Sequence, residues 1–194
     1  VSYMQSGLIC LFIEQKWGFE KLVELLRQFT RDTTTLAAVE TTFKIPSADF
    51  DKEFAAFMQK RFASILASPK DWERHMAAAH TAADKQMWRD VIEPAQKAIE
   101  IFPDFTLGGS PYLLLAKAQD ELKRRPEAIQ TLQRYRELGG WEPTVLRKLA
   151  DWLQEANKAP EALEVLNALL LVQPFDAPLH AQLGERFAAT GKAA

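Results

Sequence analysis

The chain has 194 residues, of which 47% are hydrophobic and 26% charged, and this composition excludes disordered and fibrous proteins. The net charge is −2, and neither half of the chain has a large excess of one sign. Residues 1–68 contain eight basic and eight acidic residues, and residues 69–194 contain 16 basic and 18 acidic ones. The charge pattern therefore does not indicate a nucleic-acid-binding surface. The longest apolar run, residues 8–13, is far shorter than the roughly 18 residues of a spanning helix, which predicts no membrane insertion.

Residues 1–68 are predicted to form a helical bundle. The pattern predicts helices over 2–17 and 19–29, broken at Gly18, and a short helix over 34–43 that ends near Pro46. Cys10 lies within the apolar stretch GLICLFI, so we expect a buried side chain, and one cysteine permits no intramolecular disulfide. Apolar residues then recur at steps of three and four, which predicts one strongly apolar helix face: Phe50, Phe54, Phe57, Met58, Phe62, Ile65 and Leu66.

The strings YMQSGLICLFIEQKWGFEKLVELLRQF and FDKEFAAFMQKRF resemble the C-terminal helices of gluzincin-type (peptidase MA-like) zinc metallopeptidases. That family needs a His-Glu-x-x-His motif for its zinc, and this sequence has none. The resemblance implies an alternative function, an accessory C-terminal region of a peptidase whose catalytic domain lies upstream of Val1. It also implies a bacterial fragment and an exported location, whereas a cytoplasmic location is expected without it.

A second pattern is a repeat of 34 residues, since RRPEAIQTL at 124–132 returns as KAPEALEVL at 158–166. Each copy is predicted to contain two helices joined by a short turn, with the proline in the first turn of the second helix, where its missing N–H has no partner. Ala150 and Ala162 are predicted to lie where the paired helices touch, because close helix packing requires small side chains.

Residues at this spacing resemble the tetratricopeptide repeat (TPR). The matching positions in 109–142 are Tyr112, Leu115, Ala116, Gln119, Ala128, Leu132 and Tyr135, with Gly140 at the position of the closing proline. Those in 143–176 are Leu146, Leu149, Ala150, Leu153, Ala162, Leu166, Leu169 and Pro174, and Pro103 is the closing proline of 72–105. A weaker copy spans 72–105, and a partial one spans 177–194. We therefore predict an all-α protein with a helical bundle over 1–68 and a TPR-like superhelix of about three and a half repeats over 69–194.

The TPR resemblance implies a non-catalytic scaffold that binds a protein or peptide in a concave groove. Its groove-facing positions would be Met76, His80, Leu113, Lys117, Asp120, Arg147, Asp151 and Gln154. A structural spacer with a solvated polar face is the other reading of this surface. The Lys and Asn clamp that some TPR proteins use for a C-terminal carboxylate is missing from these positions. We expect no catalytic, cofactor-binding or metal-binding residues, and the sequence does not determine the oligomeric state.

Overall fold

The computed structural model describes residues 2–189, and this part of the chain is all-α, with twelve α-helices and no β-strand. The predicted fold class is therefore confirmed. The chain divides into two compact units, Val1–Leu66 and Ala67–Ala194. None of the described helices has the length and apolarity that crossing a membrane requires.

The first unit contains α1 (Ser2–Trp17), α2 (Phe19–Gln28), a 3-10 turn (Phe29–Arg31), α3 (Thr35–Phe43), α4 (Ser47–Arg61) and the start of α5 (Ala63–Ala67). The predicted break at Gly18 is confirmed, and this residue has a φ of 89°, which glycine adopts without strain. Thr34 caps α3, because its hydroxyl oxygen accepts a hydrogen bond of 3.3 Å from the Ala37 amide.

Aromatic rings form the core of the first unit. Phe12 contacts Phe50 edge to face with a centroid distance of 5.4 Å, and Trp17 lies 4.5 Å from Phe43. Such pairs contribute beyond the apolar area that they bury. The core residues come from α1, α3 and α4, so the apolar positions of these helices account for how the unit folds: Phe12, Ile13, Val39, Phe43 and Phe50.

Two predictions for this unit are wrong. Cys10 is exposed, because α1 turns Ile9 and Ile13 toward the core and a residue one position from Ile9 lies about 100° away around the helix. The apolar face predicted through Leu66 does not continue either. Since α4 ends at Arg61 and Phe62 has a φ of −103°, the face is interrupted and Leu66 is 70% exposed.

The second unit contains α6 (Pro69–Asp84), α7 (Trp88–Ile101), α8 (Pro111–Glu121), α9 (Arg125–Glu137), α10 (Pro143–Glu155), α11 (Ala159–Val172) and α12 (Ala177–Ala189). The pairs α6–α7, α8–α9 and α10–α11 each pack together across a turn of three residues. The predicted helix starts at the repeated Pro-Glu-Ala are confirmed, since Pro126 and Pro160 lie in the first turns of α9 and α11.

The three turns share one backbone conformation. Gln86, Lys123 and Asn157 adopt positive φ values of 57°, 63° and 59°. In the second turn the Lys123 amide donates to the Asp120 carbonyl at 2.9 Å, and the Arg124 amide donates to the Gln119 carbonyl at 2.8 Å, and the other two turns have the same pair of bonds. These bonds satisfy carbonyl groups that the helix end leaves without partners.

This shared turn gives a prediction for stability. Lys123→Gly is expected to raise the free energy of unfolding by about 0.5–1 kcal/mol, because glycine relieves the left-handed strain but adds entropy to the unfolded chain. Lys85→Gly is the control, since Lys85 is the first residue of the α6–α7 turn and has a negative φ of −87°. Urea denaturation measures both variants, and an equal gain in the two would contradict the role of the left-handed residue.

Small residues lie at the centre of the second unit. Ala116, Ala128, Ala150 and Ala162 are all buried within the same core, and the last three are completely inaccessible. Ala150 and Ala162 are predicted to lie where the paired helices touch, and both are completely buried in the core that α10 and α11 share. Helix backbones can approach closely at such positions, and the leucines on either side fill the remaining space. The core continues into α12 through Leu179 and Leu183.

Gly140 stands where the other two copies have Pro103 and Pro174, and the structure gives the reason. A Cβ atom on Gly140 would lie 2.4 Å from the ring of Tyr135, which is 2% exposed and fixed in the core. The residues that correspond to Tyr135 in the other copies are the smaller Ala98 and Leu169. The bulky tyrosine therefore excludes any side chain at position 140.

Candidate partner-binding site

The eight predicted groove residues lie on α6, α8 and α10, the first helices of the three pairs. His80, Lys117, Asp151 and Gln154 are exposed, and Leu113, Asp120 and Arg147 are half-buried. Met76 differs from the expectation, because it is only 7% exposed and packs within its unit. A buried methionine offers little surface to a partner, so the structure removes Met76 from the candidate site.

A pocket with a volume of about 250 Å³ lies between α8 and α10, and we refer to it as the α8–α10 pocket. It brings Leu113 and Lys117 together with residues that the sequence analysis did not select. Its apolar floor and charged edge are formed by Leu113, Ala116, Lys117, Glu121, Leu132, Val145, Lys148 and Trp152. An apolar surface with a few polar groups at its edge is typical of ligand sites.

Tryptophan rings hold the two lysines at the edge of the pocket. The Lys117 ammonium lies 5.1 Å from the centre of the Trp88 ring, and the Lys148 ammonium lies 4.5 Å from the centre of the Trp152 ring. These distances are within the range of cation–π attraction. Because the rings orient the lysine side chains, both positive charges are presented at fixed places beside an apolar surface.

Asp120 is a structural acceptor in this region. Its carboxylate is bound by Lys148 at 3.0 Å and by Arg125 at 3.3 Å, and its side chain is only 19% exposed. Arg125 also binds Glu155 at 2.8 Å. Since both carboxylate oxygens of Asp120 already have cationic partners, this residue connects α8, α9 and α10 and has little capacity left for a ligand.

Arg147 and Asp151 also have partners within the second unit. Arg147 donates to Asp176 and, at 3.1 Å, to Gln173, which joins α10 to the connection before α12. Asp151 lies 3.6 Å from Arg186 of α12. Asp176 in turn accepts a 2.9 Å bond from the Leu179 amide at the start of α12. These two predicted site residues therefore contribute to the attachment of α12.

One signal in the sequence could have identified two of the residues that the sequence analysis missed, Lys148 and Trp152. Lys148 and Trp152 are four positions apart on a predicted helix, and such residues are neighbours on one face. The pairing of Lys117 with Trp88 had no comparable signal, because these residues come from different helix pairs and meet only in the folded chain.

A shallow cavity of about 460 Å³ lies on another surface, formed by α7, α8 and α9, and Tyr112 lies at its base. The Tyr112 hydroxyl donates a 2.9 Å hydrogen bond to the Pro103 carbonyl, and the side chain is buried. Burial raises the pKa of Tyr112 above the usual tyrosine value, because the phenolate would lose its hydration. The neutral hydroxyl is therefore the form that stabilises the fold.

Tyr112→Phe tests this contribution. We expect the variant to lose about 1 kcal/mol of stability at neutral pH, the value of one hydrogen bond. Since the pKa is raised on folding, the contribution is complete below the unfolded-state pKa of about 10 and declines as the pH rises through the folded-state pKa. Denaturation of both proteins from about pH 8 to 11 measures the difference, and a difference that stays constant to pH 11 would contradict the assignment.

Within residues 2–189 no group of three His, Cys, Asp or Glu side chains is arranged to hold a metal ion. His75 is half-buried and His80 is exposed, and neither belongs to such a group. The side chains of the described residues form apolar pockets, ion pairs and cation–π contacts.

Among known proteins, this chain shows similarity to solved structures. No protein-family model matches it. No curated protein matches it either. Among solved structures, the chain is similar to a crystal structure of MamA, with 20% identity, a TM-score of 0.49 and coverage of 82% of this chain and 87% of that one. A second crystal structure of MamA protein has 20% identity, a TM-score of 0.48 and coverage of 74% and 79%.

The described helices define a class of protein, an all-α chain with TPR-like helix pairs in its second unit. The shared turn, the repeated prolines and the buried alanines are the features that carry this assignment. The gluzincin resemblance finds no support in the comparisons, and the expectations of a bacterial, exported peptidase fragment remain predictions.

Proposed function

We propose that the second unit is a non-catalytic scaffold that binds a protein or peptide at the α8–α10 pocket. In this proposal the repeats 72–105, 109–142 and 143–176, with a partial copy over 177–194, form a TPR-like array. The observation that carries the proposal is the pocket itself, where an apolar floor lies beside two lysines that tryptophan rings hold in place.

The chemistry of the pocket defines what it binds. Leu113, Val145 and Trp152 favour an apolar side chain of the partner, because burial of that side chain removes apolar surface from water. Lys117 has no ion-pair partner among the described residues, so its ammonium is available to a carbonyl or carboxylate of the partner. The spacer alternative requires none of these features, since a solvated face needs no apolar floor.

Two alanine variants test the proposal. The chain captures partners from an extract of its source cells, and a captured protein is purified and titrated calorimetrically. Lys117→Ala/Lys148→Ala is expected to weaken binding at least about tenfold, which corresponds to about 1.4 kcal/mol. Lys97→Ala/Arg134→Ala is the control, because it also removes two cations but on α7 and α9.

The control is expected to bind like the wild-type chain. Equal affinity of the wild-type chain and the pocket variant would contradict binding at this pocket, and a failure to capture any protein would favour the spacer alternative. Circular dichroism checks that both double variants keep their helical content.

A further inference from the structure

A second, smaller pocket adjoins the α8–α10 pocket, and we call it the Trp141 pocket. Its volume is about 50 Å³. It lies where the chain enters α8 and α10, whereas the α8–α10 pocket is formed by the following turns of the same helices. Leu113 lines both pockets, so the two are neighbours. The residues around the Trp141 pocket include Leu107, Gly108, Leu113, Tyr135, Trp141 and Glu142.

Two large apolar side chains are exposed at the Trp141 pocket. Leu107 is 60% exposed and Trp141 is 57% exposed. Both lie inside the helix array, because α6 and α7 precede α8 and because α11 and α12 follow α10. A missing neighbouring repeat therefore does not explain their exposure. Exposed apolar side chains that adjoin a pocket are typical of surfaces that bind a partner.

The connection that carries Leu107 is held in place by its own contacts. The hydroxyl of the buried Ser110 donates a 2.7 Å hydrogen bond to the Phe105 carbonyl, and the Ser110 amide donates to the Leu107 carbonyl at 3.0 Å. The Phe105 ring in turn packs edge to face on Trp72, with a centroid distance of 5.0 Å. Binding of a partner therefore requires little ordering of this connection, which favours affinity.

The charges along this surface change sign from one pocket to the other. Glu142 is half-buried at the Trp141 pocket, where its carboxylate accepts a 3.1 Å hydrogen bond from the Thr144 hydroxyl and has no ion-pair partner within residues 2–189. Lys148 lies six residues further along α10, about 9 Å along the helix axis. With Lys117 and Glu121 it gives the α8–α10 pocket a net positive charge. A partner with the opposite order of charges is electrostatically complementary.

We propose, on the basis of the proposed function, that the partner is a protein segment with two apolar side chains of different size. A large one occupies the α8–α10 pocket and a small aliphatic one occupies the Trp141 pocket, because the volumes are about 250 and 50 Å³. An acidic residue lies beside the large side chain and a basic residue beside the small one. The two apolar residues are two positions apart in an extended segment, or three to four apart in a helix, since either spacing spans about 5–7 Å.

A phage-displayed library of random peptides is the probe, and it is selected on the 194-residue chain. We expect the enriched peptides to combine a large and a small apolar residue at these spacings with the stated order of charges. The strongest peptide is then synthesised and titrated by fluorescence anisotropy. Trp141→Ala is expected to weaken its binding at least about tenfold, because a tryptophan at an interface contributes a large contact area. Phe175→Ala is the matched control, since Phe175 is an aromatic residue that is 97% exposed in the connection before α12, and it should bind the peptide like the wild-type chain.

Glu142→Lys tests the order of charges. Because this change reverses the charge at the Trp141 pocket, selection on the variant should enrich an acidic residue in place of the basic residue beside the small side chain. A purely structural role of Glu142 would not alter this preference. Circular dichroism checks that both variants keep their helical content.

The outcomes separate this inference from the proposed function. If Lys117→Ala/Lys148→Ala weakens binding of the peptide but Trp141→Ala does not, or if Glu142→Lys selects the same charges as the wild-type chain, the inference is overturned and binding at the α8–α10 pocket stands. If no peptide is enriched, both are overturned. A dimer in sedimentation that Trp141→Ala abolishes would also overturn the inference, since a second copy of the chain would then cover this surface.

Discussion

Leu166→Ala is expected to lower the free energy of unfolding by about 2–5 kcal/mol, because it leaves a cavity in a close-packed core. Leu166 is completely buried in the core that α10, α11 and α12 share. Domains of this size are stable by only about 5–15 kcal/mol, so one such cavity removes a large fraction of the total. Urea denaturation followed by circular dichroism measures the loss.

Leu171→Ala provides the control for this prediction. It is the same chemical change on the same helix, but Leu171 is 87% exposed. We expect a change within about 0.5 kcal/mol, as for other surface substitutions. Similar losses in the two variants would mean that α11 does not face the core as described.

Gly140→Ala is the second substitution with a large expected effect. Its methyl group would lie 2.4 Å from the Tyr135 ring, and this ring is buried, so the backbone or the ring has to move. Overpacking of this kind costs about 1–3 kcal/mol. Thermal denaturation should show a melting temperature lower by several degrees, as about 2–4 °C corresponds to each kcal/mol in a chain of this length.

Gly108→Ala is the matched control for Gly140→Ala. Gly108 precedes α8, and nothing lies within 4 Å of its Cβ position. The control should melt close to the wild-type temperature. A Gly140→Ala variant as stable as this control would show that Tyr135 does not exclude a side chain at position 140.

The sequence predicts helix positions well here because the local signals agree with one another. Gly18 and the repeated Pro-Glu-Ala mark helix boundaries through backbone geometry, which depends on the residue itself and little on the rest of the fold. The burial of Ala150 and Ala162 follows equally from the repeat, because residues at the same repeat position meet similar surroundings.

Side-chain environments at the candidate site were less predictable. Asp120 and Arg147 have the right repeat positions for a groove, but their charges are satisfied by Lys148, Arg125 and Asp176, which come from other helices or from a connection. Cys10 shows the same limit in the first unit, since an apolar neighbourhood in sequence does not determine which side of the helix faces the core. Such contacts depend on tertiary packing, which a single sequence does not encode locally.

Site-specific photo-crosslinking tests the central proposal most directly. A photoreactive amino acid replaces Glu121 at the edge of the α8–α10 pocket in one protein and Lys97 on α7 in another, so that both pocket lysines are kept. The proposal predicts that the captured partner crosslinks from position 121 and not from position 97. Crosslinking from position 97 alone, or with equal yield from both positions, would contradict it.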